Sequence, residues 1–300
     1  MTYEPRRIPW QEDVRIRGLR HRLTWWGERT NNPIVLLHGF LDCGATWQFL
    51  ADELPPSWTL VAPDWRGFGD SEWVADGACY WFPDYLADLD ALLDLLVPQS
   101  RARVVGHSMG ANVSSVYAGV RPQRLQWLVN LEGLGLASAR PEEAPKRYAH
   151  WLDEVRDPFN EGRYESLAQL ASILRMKNSR LTVERAEFIA RAWSRPEGEK
   201  GEVVLRFDPR HRFVNPVLYR REETLACWSR SQIPNLLVMG ELSEHRAKYA
   251  AQASDEHWHS LFRKLRIVNV PGTGHMMHHE DPVQVARHIV EFERDGASNT

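Results

Sequence analysis

One pentapeptide stands out for its chemistry: Gly106-His107-Ser108-Met109-Gly110. A serine hydroxyl is a weak nucleophile on its own and becomes useful only when its backbone presents it to a base. Residues Ala102 to Val105 before the motif are short, apolar and partly β-branched, which predicts a buried strand. Residues Met109 to Val120 after it carry apolar groups at Val113, Val116, Tyr117 and Val120, which is helical spacing. The serine therefore sits where a strand turns sharply into a helix, a bend that strains the backbone and projects Oγ outward. Glycines on both sides suit such a turn, because a Cβ there would collide with it. The Met109 N–H lies at the helix start, where unpaired N–H groups and the helix dipole favour negative charge. The bland alternative is a packing turn with a satisfied buried serine.

The surrounding elements follow an alternating rhythm. Asp13–Leu19 and His21–Trp26 read as an antiparallel strand pair. Pro33–Leu37 is a short apolar strand running into His38-Gly39-Phe40-Leu41, followed by a helix from about Ala45 to Leu54. Trp58–Ala62 is a strand that opens into the glycine-rich loop Asp64-Trp-Arg-Gly-Phe-Gly-Asp-Ser71, and Phe82–Val97 is an amphipathic helix stopped by Pro98. Beyond the serine motif come strands at Leu125–Leu131, Asn235–Met239 and Leu265–Val270, then a last helix after Asp281-Pro282. Residues 137–232 break the rhythm with helical patches rich in Arg and Glu, and are expected to form an inserted helical cap. Residues 1–136 and 233–300 then make one α/β core. Strands alternating with helices imply a mostly parallel sheet covered on both faces, and ligands bind outside the carboxyl ends of such strands. His38, Ser108, Glu132, Gly240 and His275 all follow strands directly, so they are expected on one sheet edge.

Bulk properties exclude several classes. A net charge of −3 without any basic block argues against nucleic acid. The first residues lack an apolar leader and no run approaches the ~20 apolar residues of a membrane span, so a cytoplasmic protein without membrane insertion is expected. Three scattered cysteines, Cys43, Cys79 and Cys227, read as reduced thiols rather than a disulfide frame. Of the 13 tryptophans, most are assigned to the core and a few to an apolar pocket.

The ordered set His38-Gly39-Phe40, Asp64 to Ser71, Gly106 to Gly110 and Gly274-His275 resembles the α/β-hydrolase superfamily, in the branch with a serine nucleophile and a helical cap. The resemblance implies an eight-stranded sheet with helices on both faces and a catalytic triad. Ser108 would be the nucleophile and His275 the general base. The oxyanion hole would use the backbone N–H groups of Phe40 and Met109, and the substrate pocket would be edged by His38 and His107. The dehalogenases and epoxide hydrolases of this fold carry Asp where Ser108 stands, which disfavours those activities. The usual acid position is occupied by Ser243, which cannot balance an imidazolium. Glu132, after the preceding strand, is the favoured replacement; Glu244 is the alternative, with Glu241 behind it. Asp64, Arg66 and Asp70 are assigned to loop bracing. His275-x-x-His278-His279-Glu280 could suggest a metal, but no second ligand group has the spacing, so neither metal nor cofactor is expected. Gly133-Leu134-Gly135 lacks the third glycine of a dinucleotide site. The expected function is hydrolysis of an ester-like bond of a small, largely apolar substrate through an acyl-enzyme, and that substrate is the expected partner, with a homodimer left open. The competing readings are a cofactor-free haloperoxidase-like or lyase-like enzyme and a non-catalytic ligand-binding protein on the same scaffold.

Overall fold

A computed structural model describes residues 2–157, 162–245 and 254–296. Eight strands form the main sheet in the order β1-β2-β4-β3-β5-β6-β10-β11. They are β1 (Trp10–Ile16), β2 (Leu19–Trp26), β3 (Ile34–Leu37), β4 (Leu60–Pro63), β5 (Ala102–His107), β6 (Leu125–Leu131), β10 (Asn235–Gly240) and β11 (Leu265–Val270). From β4 onward every neighbouring pair is parallel, while β2 runs antiparallel to both β1 and β4. Strands β3 and β4 are apolar and buried at every position because both faces are covered. On β3, Val35 and Leu37 join a cluster with Tyr85, Leu89, Leu92, Val113 and Tyr117, whereas Ile34 and Leu36 join the opposite one with Trp47, Leu50, Val285 and Ile289. The two-residue period of the strand thus serves two helical layers at once.

Of those layers, α2 (Phe82–Leu96) and α3 (Met109–Val120) cover the first face, and α10 (Pro282–Gly296) covers the second together with a short turn, α1 (Gln48–Ala51). The segment expected to be one helix from Ala45 to Leu54 is instead a 3₁₀ turn at Gly44–Trp47 followed by the single turn of α1.

Between β6 and β10 lie α4 (Ala144–Arg156), α5 (Leu167–Lys177), α6 (Val183–Trp193) and α7 (Arg221–Trp228). Three strands accompany them, β7 (Arg163–Tyr164), β8 (Ser194–Glu197) and β9 (Glu202–Leu205), paired in the order β7-β9-β8. The purely helical reading of this stretch is corrected here. The polar run Arg195 to Glu202 is a β-hairpin whose tip turns through Gly198 and Gly201, both at positive φ; its charged side chains hid the strand pattern. The last helix of the stretch, α7, behaves as part of the sheet's covering layer. A Cβ on Gly119 would lie 1.7 Å from the Cys227 carbonyl oxygen, so α3 and α7 cross in close contact, and Trp228 packs with Val116, Leu237, Met239 and Trp258 of α8 (Asp255–Leu261). Residues 158–161 of the expected insertion, and 1, 246–253 and 297–300 of the expected core, lie outside the described residues. No described helix is long and apolar enough to cross a membrane.

The loop after β4 is a brace. Asp64 is buried and accepts from the Gly44 N–H at 2.6 Å and the Asp70 N–H at 2.8 Å. Arg66 makes a two-pronged ion pair with the fully buried Asp88 of α2, its Nη2 lying 2.6 Å from Oδ1. Asp70 holds Arg206 at 3.0 Å, and Phe68 bridges Phe207, which ties the segment after β9 to the core. A buried arginine loses much more when its partner is removed than the pair itself contributes. Asp88→Ala is therefore expected to lower unfolding free energy by about 3–5 kcal/mol, read from the urea midpoint, while the equally short but exposed pair of Arg22 and Asp13 costs under about 1 kcal/mol when Asp13 is removed.

Candidate active site

Ser108 lies between β5 and α3 with φ 49° and ψ −110°, a strained conformation for a residue with a side chain. The bend is held by the Ser108 N–H donating to Leu131 O at 2.9 Å and the Asn112 N–H donating to Ser108 O at 2.9 Å. It also needs glycine at position 110: a Cβ there would lie 2.2 Å from Leu37 O and 2.7 Å from His38 O. This close approach sets the exit of β3 directly against the start of α3. Phe40 and Met109 are thereby neighbours of the serine, and among the described residues neither N–H is taken by a protein acceptor. Leu41, next to Phe40, is at φ 61°.

Glu132 and His275, the expected acid and base, meet at the ends of β6 and β11. Glu132, also at positive φ (53°), is buried, and its Oε2 lies 2.8 Å from His275 Nδ1. The same oxygen accepts from Ser243 Oγ at 2.6 Å, and Oε1 accepts from the Gly240 N–H at 2.7 Å. A carboxylate facing three donors can only accept, so a proton sits on His275 Nδ1 and, in the neutral ring, the lone pair is at Nε2. Glycine is again required, at position 240, where a Cβ would come within 2.3 Å of Gly274 O; this contact lets the loop bearing His275 settle onto the end of β10. Ser243, which stands where the resemblance places an acid, therefore donates to the carboxylate expected to replace it. Glu244 is exposed and makes no hydrogen bond to His275, and Glu241 accepts from the Gly272 N–H at 3.0 Å. Among the described residues no hydrogen bond joins Ser108 Oγ to the His275 ring. The ring of His245, which sequence reasoning did not single out, stacks on His275 with centroids 4.1 Å apart. Nothing in its sequence neighbourhood signalled that contact.

His38 and His107 were expected to edge the substrate pocket, and the structure corrects both. His38 is fully buried; its Nε2 accepts from the Trp65 N–H at 2.9 Å and its Nδ1–H donates to Gly39 O at 2.8 Å. It is a neutral strut between the loops after β3 and β4. His107 is buried behind the serine, with its Nε2 2.9 Å from His275 O. A cavity of about 310 Å³ lies between Leu41–Cys43, Met276 and the segment after β6. Leu41, Leu170, Leu174, Ile189, Trp193 and Met276 give it an apolar lining, with Lys177, Arg206 and Arg212 as its cations. Two of its lining residues, Leu41 and Met276, are chain neighbours of Phe40 and His275.

An α/β-hydrolase-fold family model matches residues 32–282. The chain belongs to the α/β-hydrolase family. Among relatives of this α/β hydrolase, a serine hydrolase-like protein of Danio rerio is 30% identical over 161 residues, covering 54% of this chain and 45% of that protein. This chain therefore matches about half the length of that relative. A putative 2-succinyl-6-hydroxy-2,4-cyclohexadiene-1-carboxylate synthase of Bacillus subtilis (strain 168) is 25% identical over 280 residues, covering 92% of this chain and 95% of that one. Among solved structures, the thioesterase domain from a curacin biosynthetic pathway superposes with a TM-score of 0.80 at 25% identity, covering 94% of this chain and 99% of that one.

Burial lowers the His38 pKa from its ordinary 6.5 to about 4. Above pH 6.5 this histidine is neutral in both folded and unfolded hydrolase and has no effect. Between pH 6.5 and 4 the unfolded chain binds a proton that the folded one refuses, so stability falls as pH falls. From pH 7.5 to 5 this one group is expected to cost about 2 kcal/mol. His38→Gln keeps an acceptor for the Trp65 N–H, and its urea-derived stability loss over that interval should be smaller than wild type by that amount.

Proposed function

We propose that this α/β hydrolase is a serine hydrolase that cleaves an ester-like bond of a small, largely apolar substrate through an acyl-enzyme. The observation that carries this reading is the Glu132–His275 contact of 2.8 Å, in which the buried carboxylate fixes the imidazole tautomer beside a serine on a strained turn. Ser108 Oγ attacks the substrate carbonyl while His275 Nε2 takes its proton; Glu132 stays ionised and stabilises the imidazolium. The developing oxyanion accepts from the N–H groups of Phe40 and Met109, donors worth ~3 kcal/mol each. His275 then protonates the leaving group, and a water it activates hydrolyses the acyl-serine. The missing Ser108–His275 hydrogen bond is one that substrate binding tightens. The apolar cavity of about 310 Å³ admits the acyl or alcohol part of a small ester.

One observation favours a second reading. The Bacillus subtilis relative aligned over 92% of this chain carries the name of a synthase, so a lyase-like use of the same serine and histidine, without acyl transfer, competes with hydrolysis.

The decisive experiment combines fluorophosphonate labelling with pre-steady-state kinetics on p-nitrophenyl butyrate and a short-chain acyl thioester. Labelling at Ser108 with a burst of product supports the acyl-enzyme. Labelling without a burst on either substrate selects the lyase reading, and unlabelled folded protein selects a binding protein. Ser108→Ala should lower kcat by at least ~10⁴-fold. Glu132→Gln should lower kcat by roughly 10²- to 10⁴-fold, while Glu244→Gln stays within about twofold of wild type. Loss of turnover in Glu244→Gln, with Glu132→Gln unaffected, would reverse the assignment of the acid. Ser243→Ala, which leaves Glu132 one donor short, should lower kcat about tenfold with KM unchanged.

A further inference from the structure

Behind the serine, four side chains from three separate segments converge in the core: Asp42 from the loop after β3, His107 at the end of β5, and His278 and His279 from α9 (Met277–Glu280). All four are at most 4% exposed. One ligand atom from each of Asp42, His107 and His278 lies within 4.8 Å of the other two. The sequence reading found no metal because it looked for ligands near His278 in the chain. Glu280, its closest acidic neighbour, turns away to Arg180 at 2.6 Å and Asn178 at 2.7 Å. The second and third ligands come instead from residues 236 and 171 positions earlier (278 − 42 and 278 − 107).

The hydrogen bonding around this cluster is divided. Asp42 Oδ1 accepts three donors: Thr46 Oγ1 at 2.6 Å, Trp193 Nε1 at 2.7 Å and the Cys43 N–H at 2.8 Å. Those bonds lock the carboxylate and leave Oδ2 with no hydrogen bond at all. Its nearest neighbours are His278 Nε2 at 3.7 Å and His279 Nε2 at 3.6 Å. His107 is equally constrained. Its Nε2 faces the carbonyl oxygen of His275, which can only accept, so the proton is on Nε2 and Nδ1 carries the lone pair. That Nδ1 is buried and unpartnered, as are both ring nitrogens of His278 and Nε2 of His279.

Protein interiors pair their buried polar atoms, and a cluster of unpaired ones calls for a missing partner. The separations discriminate between partners. Hydrogen bonds among these groups would draw them to ~2.9 Å. Ligand atoms sharing a tetrahedral ion with bonds of ~2.0–2.2 Å stand ~3.4 Å apart, within a few tenths of an ångström of the 3.7 Å between Asp42 Oδ2 and His278 Nε2, and the His107 ligand atom lies within 4.8 Å of both partners. A carboxylate oxygen with imidazole nitrogens is the donor set of borderline divalent ions such as Zn²⁺. The bond from His107 Nε2–H to a backbone carbonyl is the outer-shell contact that orients a metal-bound histidine. The cluster borders the cavity of about 310 Å³, which Asp42 and His279 both line.

We propose that Asp42, His107 and His278 form a divalent transition-metal site of the zinc class, with a water from the cavity as fourth ligand. Through His107 the ion would brace the main chain of His275, so its role is to position the loop that carries the base. The site stands on its own geometry and does not depend on the reaction assigned to Ser108.

The test uses the full-length chain stripped with a chelator and titrated with Co²⁺ or Zn²⁺ alone. One equivalent of Co²⁺ with the intense visible absorption of a tetrahedral centre is expected, together with a rise in Tm. His278→Gln and Asp42→Asn should each weaken that binding at least tenfold, and His259→Gln, at an exposed position, should leave it unchanged. Should the core variants fail to fold, anomalous diffraction from wild-type crystals soaked in Co²⁺ decides, with a peak expected between the three ligands. Folded wild-type protein that takes up no metal saturably, uptake unaffected by His278→Gln, or an anomalous peak elsewhere would each overturn the proposal and leave the cluster to a buried water or a shared proton.

Discussion

The buried carboxylate of Glu132 is the contact on which the rest of this site depends. One side chain accepts from the Gly240 N–H, the Ser243 hydroxyl and the His275 ring, so it joins the ends of β6, β10 and β11. A carboxylate removed from water is costly unless its lone pairs are used, and here each donor has a reason to be where it is. Gly240 lacks the Cβ that would collide with the loop of His275, and Ser243 is small enough to reach back beside the acid. With three donors in place, the orientation and tautomer of the imidazole follow.

The opposite side of the site rests on a second close approach, of the β3 exit onto the start of α3. Gly110 permits it by leaving room for the carbonyls of Leu37 and His38. Backbone strain concentrates in these same places. Among the described residues other than glycine, positive φ occurs at Arg17 in the first hairpin and otherwise at Leu41, Ser108 and Glu132. Strain of this kind persists where surrounding contacts over-determine it. Here the contacts are parallel-strand register and helix packing, both of which the apolar runs of β3, β5 and β6 supply.

The segment after β6 is anchored to the core both by apolar faces, Leu170, Ala186 and Ile189 against Phe49 and Trp228 against Val116 and Leu237, and by specific contacts. His211 stacks between Phe68 and Tyr80 with centroid distances of 3.8 and 3.6 Å. Asp70 holds Arg206, and Asp208 holds both Tyr80 and Arg210. This explains why the loop Asp64 to Ser71, rich in charges that could look catalytic, is structural: its acids and its arginine are consumed in bracing. It also explains why the segment was the hardest part to read. Part of its order comes from scattered polar and aromatic contacts to distant loops, which leave no periodicity in the chain.

Periodicity and local steric need determined much of this protein from the sequence by itself. Short apolar runs between helices of 3.6-residue spacing specified a parallel sheet covered on both faces, and glycines around Ser108 specified a sharp strand-to-helix bend. Both are properties of neighbouring residues, so they are written locally. Tertiary structure alone decided which carboxylate faces His275, since Glu132 and Glu244 are equally acidic on paper and differ only in where β6 and β10 end. It alone decided that Ser243 assists that acid, that His38 is a strut in the core, and that β8 and β9 form a hairpin within a stretch rich in charge. It alone brought Asp42 to His107 and His278. Contacts between residues more than a hundred positions apart are set by how strands order themselves in a sheet, and that order is a property of the whole packed chain.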